Sequence, residues 1–577
     1  MTEQCILCIL FHDPMTEWIK KNKTADASEL EVRGKTIPKV IVQILKTRGY
    51  DTTEKIEKFF APTLDDLHDP FLLPDIDKAV KRIIQACKNK EKVLLHGDYD
   101  TDGITAVALL SLHLQNLGAR TETFLPNRFA EGYGVSMQGI DHAVQKDCSL
   151  VITADCGITA NAEVTYAAQK KIDTIICDHH EPGPELPQAI AVVNPKLIQS
   201  AYPFKELAGV GVAFKVVQAV YKRLELPVED LFQDLDLVAL GTVADVAPLI
   251  NENRVLVKTG LKKIRDSAKE GFRALLAEAK IDHGVTSYHL GFIIGPRLNA
   301  CGRLRDAQEA LELLLTRDRS RAQELAQNLT RDNQERQQIE KTILEQARTM
   351  IEQKGLGARR VIVIGHEQWH EGVIGIVASR IAEEYSRPAV LLAIKKDSAK
   401  GSCRSIPGFD ITAGLKSCSD LLVKFGGHKQ AAGLELKPDY IENLSKRINE
   451  YAAYFSDDLF QKRRFYDLEL DIPDLTEDVI FFLKYFEPTG IENPQPVFRC
   501  EHCEVVGVPR VVGYDTLMFA LRKQGKVLDV KAFRQAEHIL AIKPGKTYID
   551  CLYSVSEDSY TPKHKVVLKI KDMTIEQ

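Results

Sequence analysis

From residue 78 onward, short apolar runs alternate with longer stretches of helical period. Lys78 to Cys87 reads as a helix, Val93-Leu94-Leu95 as a buried strand, and Ile104 to Leu117 as the next helix, with Leu109, Leu110 and Leu117 for a core. Further apolar runs follow at Leu150-Val151-Ile152, Asp173 to Cys177 and Ala189 to Val193. This alternation predicts a doubly wound parallel sheet with helices on both faces. Upstream, Lys39 to Thr47 and Thr53 to Phe60 carry helical patterns, and Pro62 to Asp75 is rich in Pro and Asp. Residues 1–80 are therefore expected to be a lead-in that packs on the main domain and carries no chemistry.

Thr316 to Lys354 predicts one long helix, about 60 Å if continuous. Between Thr330 and Gln338 it has no apolar residue, so that part is expected to bridge two domains through solvent and leave a cleft between them. A second α/β unit begins at Arg360-Val-Ile-Val-Ile-Gly365. It continues through Trp369 to Arg380, a loop entering a tightly packed helix, and a strand from Pro388 to Ala393. Short β-like segments then recur at Phe465 to Leu470, Val497 to Val508, Thr516 to Arg522, Val527 to Phe533, Thr547 to Val555 and Lys565 to Ile570. They predict a small barrel, for which the OB fold is the natural candidate.

Composition narrows the class. A chain of 577 residues is too long for one core and implies three or four domains. Its net charge of -5 advertises neither nucleic acid nor membrane, so any polyanion site must be a local basic groove. The twelve cysteines lack the dense spacing of a disulfide framework. Cys5-x-x-Cys8 and Cys500-x-x-Cys503 are the close pairs; neither has the second pair a zinc knuckle needs, so structural thiols are expected. Cys5 to Phe11 is too short to span a bilayer and has no cleavage site, which points to a cytoplasmic protein without membrane contact.

The candidate chemistry lies where the apolar runs stop. The first ends in His96-Gly-Asp98-Tyr-Asp100-Thr-Asp102-Gly103, the second in Asp155-Cys-Gly, and the third in Asp178-His179-His180. Side chains two apart in extended backbone share a face, so three carboxylates and an imidazole can converge. Carboxylates held that close repel unless a cation neutralises them, and this donor set suits Mn²⁺ or Mg²⁺. In open parallel sheets ligands bind at the carboxyl ends of the strands, so the three clusters are expected to share one metal site. A lone Asp after a strand is more often a helix cap, and Asp155 alone would be read that way. Asp178 can orient a neighbouring metal-bound histidine.

Leu207-Ala-Gly-Val-Gly-Val carries glycines that allow close helix approach. Asp245 is the one charge in the apolar run Leu237 to Pro248 and needs a partner, for which a metal, an Arg or a helix cap all serve. Arg297, Asn299 and Arg303, around the glycines of Gly295 to Leu304, suit phosphate recognition, against the plainer reading of arginines in a surface loop. So do Ser402, Arg404 and the Gly426-Gly427-His428 turn, which is read as exposing backbone N–H groups ahead of a small-residue helix. In the barrel, Lys462-Arg463-Arg464, Arg510, Arg522 and Lys523, with Phe519, Tyr514 and Phe533, could bind a single strand or, for the aromatics, fill the core.

Six ordered motifs, from His96 to Gly103, Thr153 to Gly157, Asp178 to His180, Gly241 to Asp245, Gly295 to Asn299 and Phe425 to His428, resemble the single-strand-specific 5′→3′ exonucleases of the DHH phosphoesterase superfamily. The resemblance covers the chain from about residue 80 to its end. It implies a lead-in (1–80), a parallel-sheet DHH catalytic domain (81–315), a connecting helix (316–355), a DHH-associated substrate-binding α/β domain (356–460) and an OB-fold barrel (461–577). It implies one metal on His96, Asp100 and Asp155 and a second on Asp102, Asp155, His179 and Asp245. Asp98, Asp178 and His180 join them as catalytic or supporting groups. It further implies that Ser402, Arg404 and His428, with Arg303, hold the 5′ end of single-stranded DNA. A monomer that works with a single-strand-binding protein and a helicase, in recombination and repair, is also implied. Thr101 and Cys301 stand where the family is expected to have Ala, and Thr489 to Pro496 varies the family's turn into the barrel. The alternatives are a small-substrate phosphoesterase of the superfamily and a replication partner without catalysis. The first lacks the long helix and barrel, and the second has lost its metal ligands.

Overall fold

Five strands form the expected parallel sheet, in the spatial order Arg120–Phe124, Lys92–Gly97, Leu150–Ala154, Asp173–Cys177 and Ala191–Val193. This computed structural model describes residues 16–21, 30–32, 34–128, 131–132, 134–282, 284–513, 515–557 and 565–576. The central strands are buried on both faces, as their unbroken apolar runs require. The edge strand, Arg-Thr-Glu-Thr-Phe, is half exposed and too polar to be read from its pattern. Register aligns the strand ends: Gly97 lies opposite Ala154, Ala154 opposite Cys177, and Cys177 opposite Val193. From Lys92–Gly97 the chain goes to one side for Arg120–Phe124 and to the other for Leu150–Ala154, so the switch point lies beside the first strand's end.

The chain divides into two compact units, one of Lys20–Thr330 with Tyr466–Gln577, the other of Arg331–Phe465 with the first residues. In the first, the C-terminal segments close a five-stranded barrel in the order Phe498–Val512, Thr516–Lys523, Lys526–Ala532, Val566–Glu576 and Tyr548–Glu557, the last pairing back to the first. The lead-in helices Lys39–Thr47 and Thr53–Phe60 sit where their patterns predict. They share an apolar core with the barrel, Ile41, Leu45 and Phe59 clustering with Phe486, Phe498 and Leu517. The lead-in thus packs on the barrel as well as the catalytic domain.

Arg254, on the helix Asn251–Arg265 of the catalytic domain, ties these parts together. Its buried guanidinium donates to the carbonyls of Phe59, Tyr485, Phe486 and Pro488 and lies 3.9 Å from the Phe59 ring centroid. No carboxylate is among these bonds, and burial pulls the group down to about 10. Arg254→Met strands those carbonyls, and urea titration should show a loss of about 3 kcal/mol.

In the second unit a five-stranded sheet has the order Leu422–His428, Ala431–Leu436, Ala399–Arg404, Ala389–Ile394 and Ile362–His366, with the helix Ile374–Tyr385 against it. The long helix runs Arg319–Gln353. One face of its polar middle is buried, contrary to the solvent-bridging expectation: Asp332, Asn333, Arg336 and Glu340 are all under a tenth exposed, while Gln334, Glu335, Gln337 and Gln338 are exposed. Arg336 bonds Asn333 at 2.7 Å and pairs with Glu340, which also meets Arg380 of the neighbouring helix at 2.6 Å. Mutual pairing removes the cost that made burial look excluded.

Candidate metal centre

The aligned strand ends deliver the acids to one place. Among the described residues, three groups of ligand atoms lie within 4.8 Å of one another: Asp98 with Asp100 and Asp155; Asp102 with His179 and Asp245; and Asp155 with His179 and His180. Asp155 belongs to two of them. Its backbone is left-handed, with φ 63°, a strained conformation for a non-glycine residue that Asp and Asn tolerate best. Asp245 caps the helix Leu235–Ala244 rather than lying inside it.

Backbone placement explains how so many charges fit. Asp100 caps the helix Thr101–Asn116, accepting from the N–H groups of Asp102 and Gly103 at 3.0 and 3.2 Å. Asp102 accepts from Gly209 and Val210 at 2.6 and 2.9 Å, at the start of the helix Gly209–Arg223. A Cβ on Gly209 would fall 2.5 Å from Asp155, and one on Gly241 2.8 Å from Asp102. Asp178 accepts from the backbone of Ile158, His179 and His180 and from His180 Nδ1. The bond to His180 Nδ1 fixes the orientation of that ring. The Asn299 Oδ1 accepts from the Thr101 N–H and hydroxyl at 2.7 and 2.8 Å, fixing the acidic turn.

Arg297 is half-buried, and Nη1 bonds the Ile293 carbonyl at 2.6 Å. The segment Gly295–Leu304 is a helix, not a loop, with Arg303 in its last turn. Sequence reading overlooked the backbone donors of Gly209 and Val210, for which no side-chain signal exists, and Gly139, whose Cβ would fall 2.5 Å from the His96 ring.

Whether the residues fit a metal is decided by their unmet atoms. Asp98 Oδ1, Asp155 Oδ1, His96 Nδ1 and His179 Nε2 are buried with no hydrogen-bond partner. Two of these, Asp155 Oδ1 and His179 Nε2, lie 3.1 Å apart, the spacing of adjacent donors on one ion with bonds of about 2.1 Å. Burial, then the neighbouring carboxylates, pushes Asp98, Asp155 and Asp245 well above the carboxyl range, and Asp102 up to about 7. Burial also pulls His179 down to about 3 and His96 to about 4, leaving neutral nitrogens suited to coordination. The set fits a pair of hard divalent cations. His96 stands outside the three groups, and its Nε2 accepts from the Ser136 N–H at 3.4 Å.

A pH dependence follows. These carboxyls titrate near 3.8 when unfolded, so the folded metal-free chain holds extra protons between that value and about 7, where Asp102 ionises. Their contribution is favourable at the acid end and is lost as pH rises; the lowered His96 and His179 act in the opposite sense up to about 6.5, and the four raised carboxyls outnumber them. Metal-free protein should melt lower at about pH 7.5 than at about pH 5.5, and added Mn²⁺ should reverse the trend.

The second unit assembles another polar face. Ser402 pairs with Gly433 and Gly433 with Gly426; Arg404 pairs with Ala431 and Ala431 with His428. Residues two apart on a strand share a face, so Ser402, Arg404 and His428 come together over a glycine floor. Arg404 Nη1 donates to Ser402 Oγ at 3.0 Å. The residues after His428 form a hairpin strand, Ala431–Leu436, and not the expected helix, because Gly427 at φ 143° can approach Ala432 where a Cβ would collide. In the barrel, Phe519 is in the core, Arg522 is paired to Glu504 and Lys523 to Asp471. Arg463 is bound to Glu17 and Asp458, Phe533 is half exposed, and Tyr514 lies outside the described residues.

A parallel sheet with clustered Asp and His at its carboxyl edge, followed by a glycine-floored Ser-Arg-His face, defines a DHH phosphoesterase. The DHH family N-terminal domain matches residues 92–242, the DHHA1 domain 358–453 and the RecJ OB domain 466–572. The single-stranded-DNA-specific exonuclease RecJ of Bacillus subtilis (strain 168) is 37% identical over 546 residues, which cover 94% of this chain and 68% of that relative. RecJ of Escherichia coli (strain K12) is 35% identical, covering 80% of this chain and 83% of its own. The crystal structure of RecJ with Mn²⁺ from Thermus thermophilus superposes with a TM-score of 0.80 at 31% identity, over 94% of this chain and 76% of that one. The chain belongs to the RecJ family of single-stranded-DNA-specific exonucleases. Among the described residues no helix is long and apolar enough to cross a membrane.

Proposed function

We propose that the protein digests single-stranded DNA from a free 5′ end, releasing 5′ mononucleotides with two Mn²⁺ or Mg²⁺ ions, in DNA recombination and repair. The sharing of Asp155 between two ligand groups carries this reading. Asp98, Asp100 and Asp155 would hold one ion and Asp102, His179 and Asp245 the other; Asp155, which also groups with His179 and His180, would serve both. Ions held there would lower the pKa of a bound water and neutralise charge on the phosphate. His180, raised despite its burial by the Asp178 carboxylate, offers a proton to the leaving 3′ oxygen. Ser402, Arg404 and His428, with the Gly426 and Gly427 backbone, bind the 5′ phosphate and set polarity. A cytoplasmic monomer acting beside a single-strand-binding protein and a helicase is consistent with this chemistry.

The test is a strand labelled at either end, with and without a 5′ phosphate. Mononucleotides should appear first from the 5′ label. Early release of the 3′ label, or cleavage of dinucleotides alone, would overturn the reading. Arg404→Ala should reduce kcat/KM on 5′-phosphorylated strands about 100-fold, with a smaller loss on 5′-hydroxyl strands. Calorimetry of His96→Ala with Mn²⁺ separates the two readings of that residue: loss of one bound ion makes it a ligand, and two retained ions confine it to support.

A further inference from the structure

The barrel contains a thiol pair that hydrolysis does not use. Cys500 and Cys503 lie on the strand Phe498–Val512, whose pairing with Tyr548–Glu557 shifts register between them. In a regular strand, thiols three apart point to opposite faces about 10 Å apart along the chain. Here the bulge, with His502 at φ 50°, turns the chain back and brings the sulfurs to 3.0 Å. An ordinary nonbonded contact is about 3.6 Å. Both side chains are buried. Cys500 Sγ donates to Asp471 Oδ1 at 3.3 Å, and Lys523 Nζ lies 3.9 Å from Cys500 Sγ and 2.6 Å from Asp471. Lys523 and Asp471 are partly exposed, at 19% and 39%, giving a small oxidant a wetted edge.

We propose that Cys500 and Cys503 are a reversible dithiol–disulfide site whose oxidant is a peroxide. Cys500 passes its proton to Asp471, and the thiolate, held by the Lys523 ammonium, attacks one peroxide oxygen. The O–O bond breaks, water leaves, and Cys500 becomes a sulfenic acid. Cys503 sulfur then attacks Cys500 sulfur, the S–O bond breaks, a second water leaves and the disulfide forms. Two thiols and one hydrogen peroxide give one disulfide and two waters. The contact with Cys503, then burial, holds the Cys500 thiol well above its ordinary value, so the rate should climb with pH.

The test uses the full chain, reduced, freed of reductant and exposed to one equivalent of hydrogen peroxide. It is then denatured, alkylated and digested with trypsin. The peptide from Cys500 to Arg510 holds both thiols and no other cysteine. It should emerge unalkylated and two hydrogens lighter, and dithiothreitol should restore alkylation. Cys503→Ser should stop at a sulfenic acid on Cys500 that dimedone traps, and Lys523→Met should slow the reaction about tenfold. Cys551→Ser disturbs the same core opposite Cys500 and must leave the linkage intact. A peptide that stays fully alkylated, a link from Cys500 or Cys503 to Cys551, which also contacts Cys503, or a linkage surviving in Cys503→Ser overturns the proposal.

Discussion

Asp155→Asn abolishes digestion of single-stranded DNA, with kcat/KM falling about a thousandfold or more, while the metal-free protein melts higher than the parent. The opposite signs share one cause. Asp155 is buried among Asp98, Asp100, Asp102 and Asp245, which push its carboxyl up after burial itself has done so. Without cations that crowding opposes folding; with them it is the binding energy of the site. Asparagine keeps the left-handed backbone and side-chain shape but removes a charge from both ligand groups. Calorimetry should therefore show weakened binding of both Mn²⁺ ions, and thermal melts without metal a gain of about 1–2 kcal/mol. Near-parental activity, or unchanged Mn²⁺ affinity, would remove Asp155 from the centre.

Lys215→Met should produce the largest loss of stability, about 3–5 kcal/mol. Lys215 and Glu252 are both fully buried, with Nζ 2.6 Å from Oε1. The pair is closed by backbone and phenol: Lys215 donates to the His68 carbonyl at 2.8 Å, the His68 N–H donates to Glu252 at 2.8 Å, and the Tyr202 hydroxyl donates to the other oxygen. Burial pulls the ammonium below its ordinary value, against the attraction of Glu252. Removing the lysine leaves a carboxylate with no counter-charge. The double variant Lys215→Met/Glu252→Gln should recover most of the loss, a non-additivity that simple loss of packing cannot give. If the two losses merely add in urea titrations, the pair is not coupled.

The catalytic sheet was legible because its central strands are buried on both sides and so written as unbroken Val, Ile and Leu. Arg120–Phe124 was not, since an edge strand can be polar. The acids were legible as a group because each follows a strand end, but their division of labour was not. Asp178 could be read from sequence as the carboxylate that orients a neighbouring histidine, but its backbone donors at Ile158, His179 and His180 could not. The bonds by which the Asn299 carbonyl secures the Thr101 turn had no signal in the sequence. The buried face of the long helix's middle was misread because Arg336 and Glu340 satisfy each other at helical spacing, which a hydropathy pattern cannot distinguish from exposure. Barrel strands were placed well, yet Phe519 faces the core, a choice that one-residue register decides.

The union of Phe59 with Phe486 and Phe498 in one core has a consequence for biogenesis. Helices made early in translation have no finished surface to rest on until the ribosome has delivered the last strands. Chains terminated before the barrel should be degraded rather than accumulate as an unregulated nuclease core.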